Sequence, residues 1–410
     1  MSDAHTGADP ITAAVATEDF SAHGGSPALP PKRRLTITFT GSGSEYFRIW
    51  IVNILLTLLT LGLYLPFAKV RRIKYFYANT LVDGEALSFH GRPWPMFRGF
   101  VLLLALMAAY GIASKFSPTA GLLAYLLLCA MWPALWRAGM QFRLSNTAWR
   151  GLRFGFSGDL RSAYLAFMPV YLPAIGLMAA QYFVLGGATQ ASSPEELEKL
   201  GASVELYSYI SGACGLLMLG LAPWSLACVK RYQHNGYRYA EEQTRLDIPN
   251  RRFYGLGLKV LLIGILPLML IGVLAAILLP MVKGRPETLP VVFIALFLAY
   301  LFFFAVSGPL FNARLQNLVW TGTRSASLQF DSQLKARRLI GLTFKNWLLT
   351  ALSLSLYRPF AAVATARLRL QSVGVDLDGD LDRWVAPANA GQNDATGEAA
   401  GDFFGFDMGW

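Results

Sequence analysis

The sequence predicts an all-α polytopic membrane protein made of repeated helical hairpins, with short cytoplasmic β segments between them. Three observations carry this. Of the 410 residues, 54% are hydrophobic and 15% charged, and the mean hydropathy is +0.41. A soluble domain carries about 25% charged residues. Eight apolar stretches match the ~17–25 residues that a membrane-spanning helix needs. The connectors between them alternate in charge.

The stretches are 49–68, 96–113, 118–136, 164–185, 206–229, 257–281, 290–308 and 341–360. Over such lengths in lipid, only a helix satisfies its own backbone outside a closed barrel. The runs 101–107 and 291–298 lack the period-two alternation of a barrel strand.

Connectors 69–98, 137–161, 230–252 and 309–345 are rich in Lys and Arg. By contrast, 114–117 offers only Lys115, 186–205 carries Glu195, Glu196, Glu198 and Glu205, and 282–289 is nearly balanced. The positive-inside rule places the four basic connectors in the cytoplasm. The net charge of +11 then marks a membrane surface rather than a nucleic-acid interface. Arg71, Arg72, Lys74, Arg137, Arg143, Lys230, Arg231, Arg314, Arg367 and Arg369 are expected to anchor to anionic headgroups, with Tyr and Trp at the interface. The bilayer is the expected partner; a homo-oligomer or a membrane partner is left open.

The basic connectors share one grammar. A helix is expected to end at a proline, a basic aromatic stretch follows, and a polar turn leads to a short alternating segment. Pro66…Asn79-Thr80…Gly84…Leu87-x-Phe89-x-Gly91 matches Pro133…Asn146-Thr147…Gly151…Phe154-x-Phe156-x-Gly158 at every named offset. Pro309…Thr321…Leu328-x-Phe330 matches once two residues are deleted. Pro223…Tyr237…Thr244-x-Leu246 keeps the spacing and loses Asn, Thr and Gly, and Pro359…Arg367-x-Arg369 keeps only the beginning. Leu35–Phe39 supplies a leading half. The alternating pieces read as short strands that pair across successive connectors into a small sheet.

This repeat sets a topological puzzle. From the alternating segment to the next proline, the central units span 44 (Phe89 to Pro133), 67 (Phe156 to Pro223) and 63 (Leu246 to Pro309) positions. The outer ones span only 27 (Phe39 to Pro66) and 29 (Phe330 to Pro359). Either 49–68 and 341–360 are re-entrant hairpins, or they are single spans with both termini outside. Hydropathy favours the second and repeat symmetry the first.

Residues 1–34 are rich in Ala, Gly, Thr, Ser and Pro without an apolar signal region, and are expected to form a disordered tail. Residues 35–375 form the membrane domain. Residues 376–410 form an acidic tail ending in Phe403, Phe404, Phe406 and Trp410, which is expected either to dock on the basic connectors or to stay solvated. The segment 41–72, Gly41-Ser-Gly-Ser-Glu-Tyr-Phe-Arg-Ile-Trp through Leu65-Pro-Phe-Ala-Lys-Val-Arg-Arg, resembles the opening of the YjgN-type family. Tyr357-Arg-Pro-Phe-Ala and Gly401-Asp-Phe-Phe-Gly-Phe-Asp-Met-Gly-Trp resemble its closing segments. The resemblance covers about residues 35–410 and implies a bacterial inner-membrane protein of unknown function. It brings no catalytic or binding residues with it.

No acid–base or nucleophile constellation is visible, and no cofactor or metal is expected. His5, His23, His90 and His234 lack metal-ligand spacing, and the Asp376–Asp382 run lacks the glycine and glutamate of a calcium loop. Cys129, Cys214 and Cys228 sit singly in apolar stretches. The central parts of the spans hold no ionisable residue, which weakens a proton-coupled carrier; Asn53 and Gln181 are the notable polar residues. Two functions remain: passage of a small molecule or lipid through the helices, for which internal repeats are common, or a non-transporting scaffold that binds partners through its connectors and tail. A membrane enzyme ranks third.

Overall fold

The computed structural model describes residues 33–185, 194–282, 287 and 289–379. Its helices are α1 (Gly43–Leu59), α2 (Leu65–Ala78), α3 (Pro93–Phe116), α4 (Pro118–Ser145), α5 (Leu160–Ala180), α6 (Pro194–Asn235), α7 (Asn250–Val282), α8 (Leu289–Thr321), α9 (Ala336–Leu352) and α10 (Arg358–Leu370). Among the described residues, five helices are long and apolar enough to cross a membrane: those running within α3, α4, α6 and α8, and α5 with its π-helical extension to Leu185. In α7 an apolar stretch covers Met269–Pro280. Side chains such as Leu216, Leu262 and Val291 face outward. A soluble protein rarely exposes contiguous apolar faces of this kind.

The prolines do not end helices, as the sequence suggested. Pro133, Pro223 and Pro309 lie inside α4, α6 and α8, while Pro66 and Pro359 sit in the first turn of α2 and α10. A proline in the first turn loses no hydrogen bond, and neighbouring helices compensate one inside a membrane helix. What the proline sets is a distance. The next strand begins fourteen positions later in all five units: Pro66 to Thr80, Pro133 to Thr147, Pro223 to Tyr237, Pro309 to Thr323 and Pro359 to Val373. The equivalent of Thr80 is therefore Thr323, not Thr321, and the fourth copy's shortening lies in its hairpin.

Each unit is a helix pair, and the second helix packs on the first helix of the next unit: α2 on α3, α4 on α5, α6 on α7, α8 on α9. The contact of α10 with α1 closes the five pairs into a ring.

The strands form two antiparallel sheets, so the fold is mostly helical rather than all-α. They are β1 (Arg33–Phe39), β2 (Thr80–Val82), β3 (Glu85–Ala86), β4 (Ser88–Phe89), β5 (Thr147–Trp149), β6 (Leu152–Phe156), β7 (Tyr237–Tyr239), β8 (Glu242–Gln243), β9 (Arg245–Leu246), β10 (Thr323–Arg324), β11 (Leu328–Ser332) and β12 (Val373–Leu377). One sheet runs β3-β2-β1-β12-β11-β10-β9 and the other β4-β5-β6-β7-β8. The segments 85–89 and 242–246 bend at Leu87 and Thr244, and each contributes a strand to both sheets. The two sheets thus join at these segments into a second ring stacked on the helical one, and the edge strands β3, β4, β8 and β9 are short, which blunts an exposed edge. Its interior is packed by Leu35, Trp149, Leu152, Tyr239, Val375 and Leu377.

Both tail boundaries shift as a result. Arg33 and Arg34 belong to β1 and pair with Leu377 and Asp376 of β12. Residues 1–32 and 380–410, including Phe403, Phe404, Phe406 and Trp410, lie outside the described residues.

Local chemistry explains the repeated letters. Asn79 and Asn146 donate from Nδ2 to Tyr75 O and Phe142 O, both at 2.8 Å. Thr80, Thr147 and Thr323 donate to Phe76 O, Arg143 O and Val319 O at 2.7, 2.7 and 2.8 Å. These bonds satisfy the last helical carbonyls. Asp83-Gly84 and Arg150-Gly151 turn the hairpins with positive φ at both residues, the conformation of a type I′ turn. In Phe-x-Gly the aromatic ring folds over the glycine two residues on, so a Cβ at Gly158 would approach the Phe156 ring to 2.6 Å.

The outer segments are hairpins. Helix α1 stops at Leu59, the chain turns through Leu61 and Gly62 at φ 50° and 94°, and α2 returns. Leu354 and Ser355, at φ 48° and 75°, turn α9 into α10 in the same way. Phe39 pairs with Thr80 and Ser332 with Val373, so each hairpin leaves and rejoins the strand ring on one side. The tips satisfy themselves: Gly62 N donates to Thr57 O and Ser355 N to Thr350 O at 2.8 and 2.7 Å. Thr60 Oγ1 and Ser353 Oγ accept from Tyr64 N and Tyr357 N at 3.0 and 2.9 Å.

Candidate functional site

Between the two rings lies an open cavity of about 1850 Å³. Helical geometry decides what lines it. The tenth and eleventh residues after each proline are adjacent on the helix, and in every unit both line the cavity: Phe76 and Tyr77, Arg143 and Leu144, Gln233 and His234, Val319 and Trp320, Arg369 and Leu370. Toward the strands the wall is the inner face of the strand ring. Away from them it is Trp50, Ile54 and Leu58 of α1, Leu65 of α2, Phe100 of α3 and Trp347 of α9.

The lining is mostly apolar, and its charge is one-sided. Among the described residues it carries Lys69, Arg72, Arg143, Lys230, Arg238, Arg358 and Arg369 against Glu242. Lys230 feels the positive charges of both Arg369 and Arg143, so three units direct cations toward one region. Arg369 Nε donates to Gln316 Oε1 at 2.8 Å, Lys230 Nζ to Gln233 Oε1 at 3.1 Å, and Arg143 to Met140 Sδ at 3.5 Å. Burial lowers the pKa of Arg369 from its ordinary value. His234 is buried against Trp320, with Nδ1 3.0 Å from Thr323 Oγ1.

The predicted headgroup anchors therefore divide. Arg143, Lys230 and Arg369 turn inward. Arg137, Arg231 and Arg367 donate to Gly158 O, Ile248 O and Gly41 O at 2.7, 2.7 and 2.8 Å, each fastening the strand-to-helix junction of the next unit. Arg71, Arg72, Lys74 and Arg314 are exposed; Arg71 and Arg72 stack on Tyr64 and Phe76. Arg143 and Arg369 share the tenth position after their prolines, a signal that becomes legible only when the units are aligned, whereas Lys230 stands seven positions after Pro223.

Asn53 and Asn346 stand thirteen positions before Pro66 and Pro359 and are 7% and 5% exposed. Their Nδ2 groups donate to Ala68 O and Ala361 O at 3.5 and 3.4 Å, tying the two arms of each hairpin together beside the cavity.

Glu242 joins two units. It accepts from Ala326 N at 3.1 Å and from Ser327 N and Oγ. Burial pushes its carboxyl up, but bonds from the Ser327 and Ser325 hydroxyls and the Ser327 and Ala326 amides outweigh this and lower its pKa. The linked stability is present above the ordinary carboxylate value of ~4.3 and is lost as pH falls through the lowered folded value. Glu242→Gln is expected to lower the thermal midpoint in detergent at pH 7 by the equivalent of ~1.5–3 kcal/mol, as for hydrogen bonds to a charged group. The gap from the native chain should narrow as pH falls below ~4. Parallel curves at both pH values would contradict this.

The profile of a family described as "Bacterial protein of unknown function (DUF898)" matches residues 34–403. Among curated proteins, an "Inner membrane protein YjgN" of Salmonella typhimurium (strain LT2) is 32% identical over 153 residues, 37% of this chain and 38% of that protein. Its namesake in Escherichia coli O157:H7 is 28% identical over 189 residues, 45% of each chain. The chain thus spans less than half the length of the curated relatives it matches. No solved structure matches it.

Proposed function

Because the chain belongs to the DUF898 family of bacterial inner-membrane proteins, we propose that it provides passage for a small molecule or lipid through the ring of helices. One observation carries this reading: a central cavity lined by all five units. A scaffold needs outward surfaces and gains nothing from such an interior. In this reading α3 to α8 are six spans, the α1–α2 and α9–α10 hairpins are re-entrant, and the strand ring with its basic residues faces the cytoplasm. The wide apolar outer faces of the long helices and the same-side return of both hairpins support it.

The test is flux in reconstituted vesicles, using headgroup-labelled phospholipid and a panel of small anions. The reading expects transfer above that of protein-free vesicles, abolished by filling the cavity with Ala366→Trp. Transfer equal to protein-free vesicles, with a stable partner retained through the connectors, would favour the scaffold instead.

A further inference from the structure

The cavity is not spread evenly around the ring. On α1 it is lined by Trp50, Asn53, Ile54, Thr57 and Leu58, and on α9 by Thr343, Asn346, Trp347 and Thr350. These positions follow the three- and four-residue spacing of one helix face. Helices α2 and α10 contribute in the same way, starting at Leu65 and Arg358 beside the tips. The long helices reach it only near their strand ends, as with Phe100 of α3 and Leu144 of α4, and among the described residues α5 and α7 do not line it. The two hairpins are neighbours, since α10 packs on α1. Toward the tips the cavity is therefore a groove that belongs to the hairpins.

The groove's length and wall narrow what it takes. Its lining runs from Tyr46 to Leu58 on α1 and from Arg358 to Leu370 on α10, in each case ~18 Å at 1.5 Å per residue. One leaflet is about half of a ~30 Å hydrocarbon core, so the groove matches the depth of a single leaflet. Trp50, Ile54, Leu58 and Trp347 make the wall apolar. Asn53 and Asn346 donate to Ala68 O and Ala361 O, and Thr57 Oγ1 donates to Asn53 O at 2.6 Å. The Oδ1 atoms of both asparagines lie beneath the surface, out of a ligand's reach. These polar side chains thus serve the hairpins rather than a hydroxylated solute. Arg72 stacks on Phe76, and long cationic side chains offer methylene stems to an apolar neighbour. At the tip the lining runs on from Leu58 to Leu59 and Leu61, which are 80% and 95% exposed. The groove is thus continuous with the apolar surface that meets the membrane.

Deepening the passage reading, on which it rests, we propose that this groove takes an acyl chain of a membrane phospholipid. The chain lies between the α1–α2 and α9–α10 hairpins with its end toward the exposed leucines of the tips.

Photo-cross-linking tests this. The full chain is reconstituted in phosphatidylcholine vesicles with a trace of phosphatidylcholine carrying a diazirine midway along one acyl chain, and adducts are mapped by mass spectrometry. Adducts are expected at Ile54 and Ala362, which line the groove, as well as on outward residues such as Leu216. Ala366→Trp should lower the Ile54 adduct about tenfold, the equivalent of ~1.4 kcal/mol, and leave the Leu216 adduct unchanged. Ile54→Trp should do the same to the Ala362 adduct from the other hairpin. Elution and thermal midpoint identify variants that fail to fold, and the map of the native chain needs no variant. Adducts confined to outward faces, or groove adducts undiminished in both folded tryptophan variants, would overturn the site. Groove adducts without vesicle transfer keep this site and reject passage. Transfer of small anions without groove adducts keeps passage and rejects the acyl chain.

Discussion

Trp149→Ala is expected to destabilise the protein by about 3–5 kcal/mol, the cost of removing a large buried aromatic, and to open the strand ring. Trp149 is 5% exposed at the centre of that ring. Its Nε1 donates to Val82 O at 3.2 Å, and its carbonyl accepts from the Tyr239 hydroxyl at 3.0 Å. The Trp149 and Tyr239 rings lie 5.5 Å apart, and burial pushes the Tyr239 hydroxyl up to about 12. One side chain thus links strands of the first three units. The alanine variant also removes the donor to the Val82 carbonyl, an additional cost of ~0.5–1.5 kcal/mol for a neutral hydrogen bond. Thermal unfolding in detergent should show the loss, and limited proteolysis should find new cuts in the basic connectors. A change under about 1 kcal/mol with an unaltered digest would mean that the ring interior is not packed as described.

The second large effect belongs to the hairpin tips. Leu61→Asp and Leu354→Asp each replace a residue that touches little protein, being 95% and 89% exposed. Both positions have positive φ, where aspartate is better tolerated than leucine. In water the exchange would be neutral to within about 0.5 kcal/mol. In hydrocarbon a carboxylate costs up to ~2.5–3.5 kcal/mol at the bilayer centre, so the re-entrant reading expects each variant to lose most of its membrane-inserted fraction. Leu61→Asn and Leu354→Asn should lose less. Carbonate extraction and expression level measure this; native behaviour of both aspartate variants would place the tips in water.

Much of this architecture was legible in the sequence. The apolar stretches, the alternating basic connectors and the Asn-Thr…Gly…Phe-x-Gly grammar are local features, and they placed the long helices and foretold strand pairing. The fate of the outer segments was not legible: Gly62 shares the first turn with Leu61, but a leucine-serine pair at 354–355 carries the second, where glycine or proline would have announced it. The ring's closure was hidden for another reason. It joins β1 to β12 across more than 330 residues, and no local pattern encodes a partner that distant. The cavity cations were visible as basic residues, but a charge near a membrane surface reads as an anchor until the helix faces are known. Asp376 and Arg34 looked like parts of two tails because their strands are short and charged.

The central claim is that five units close into a ring, and the β1–β12 pair is where it closes. Arg34 and Asp376 are Cα partners there, and neighbours across antiparallel strands lie ~4.5–5.5 Å apart, within the range a disulfide bridges. In a chain with Cys129, Cys214 and Cys228 replaced by serine, Arg34→Cys with Asp376→Cys should oxidise to one intramolecular link. Mass spectrometry would detect it as joined tryptic peptides, at a yield matching the within-unit control Thr38→Cys with Leu81→Cys, which are also Cα partners. A control that links while the Arg34–Asp376 pair stays reduced would contradict the closed ring.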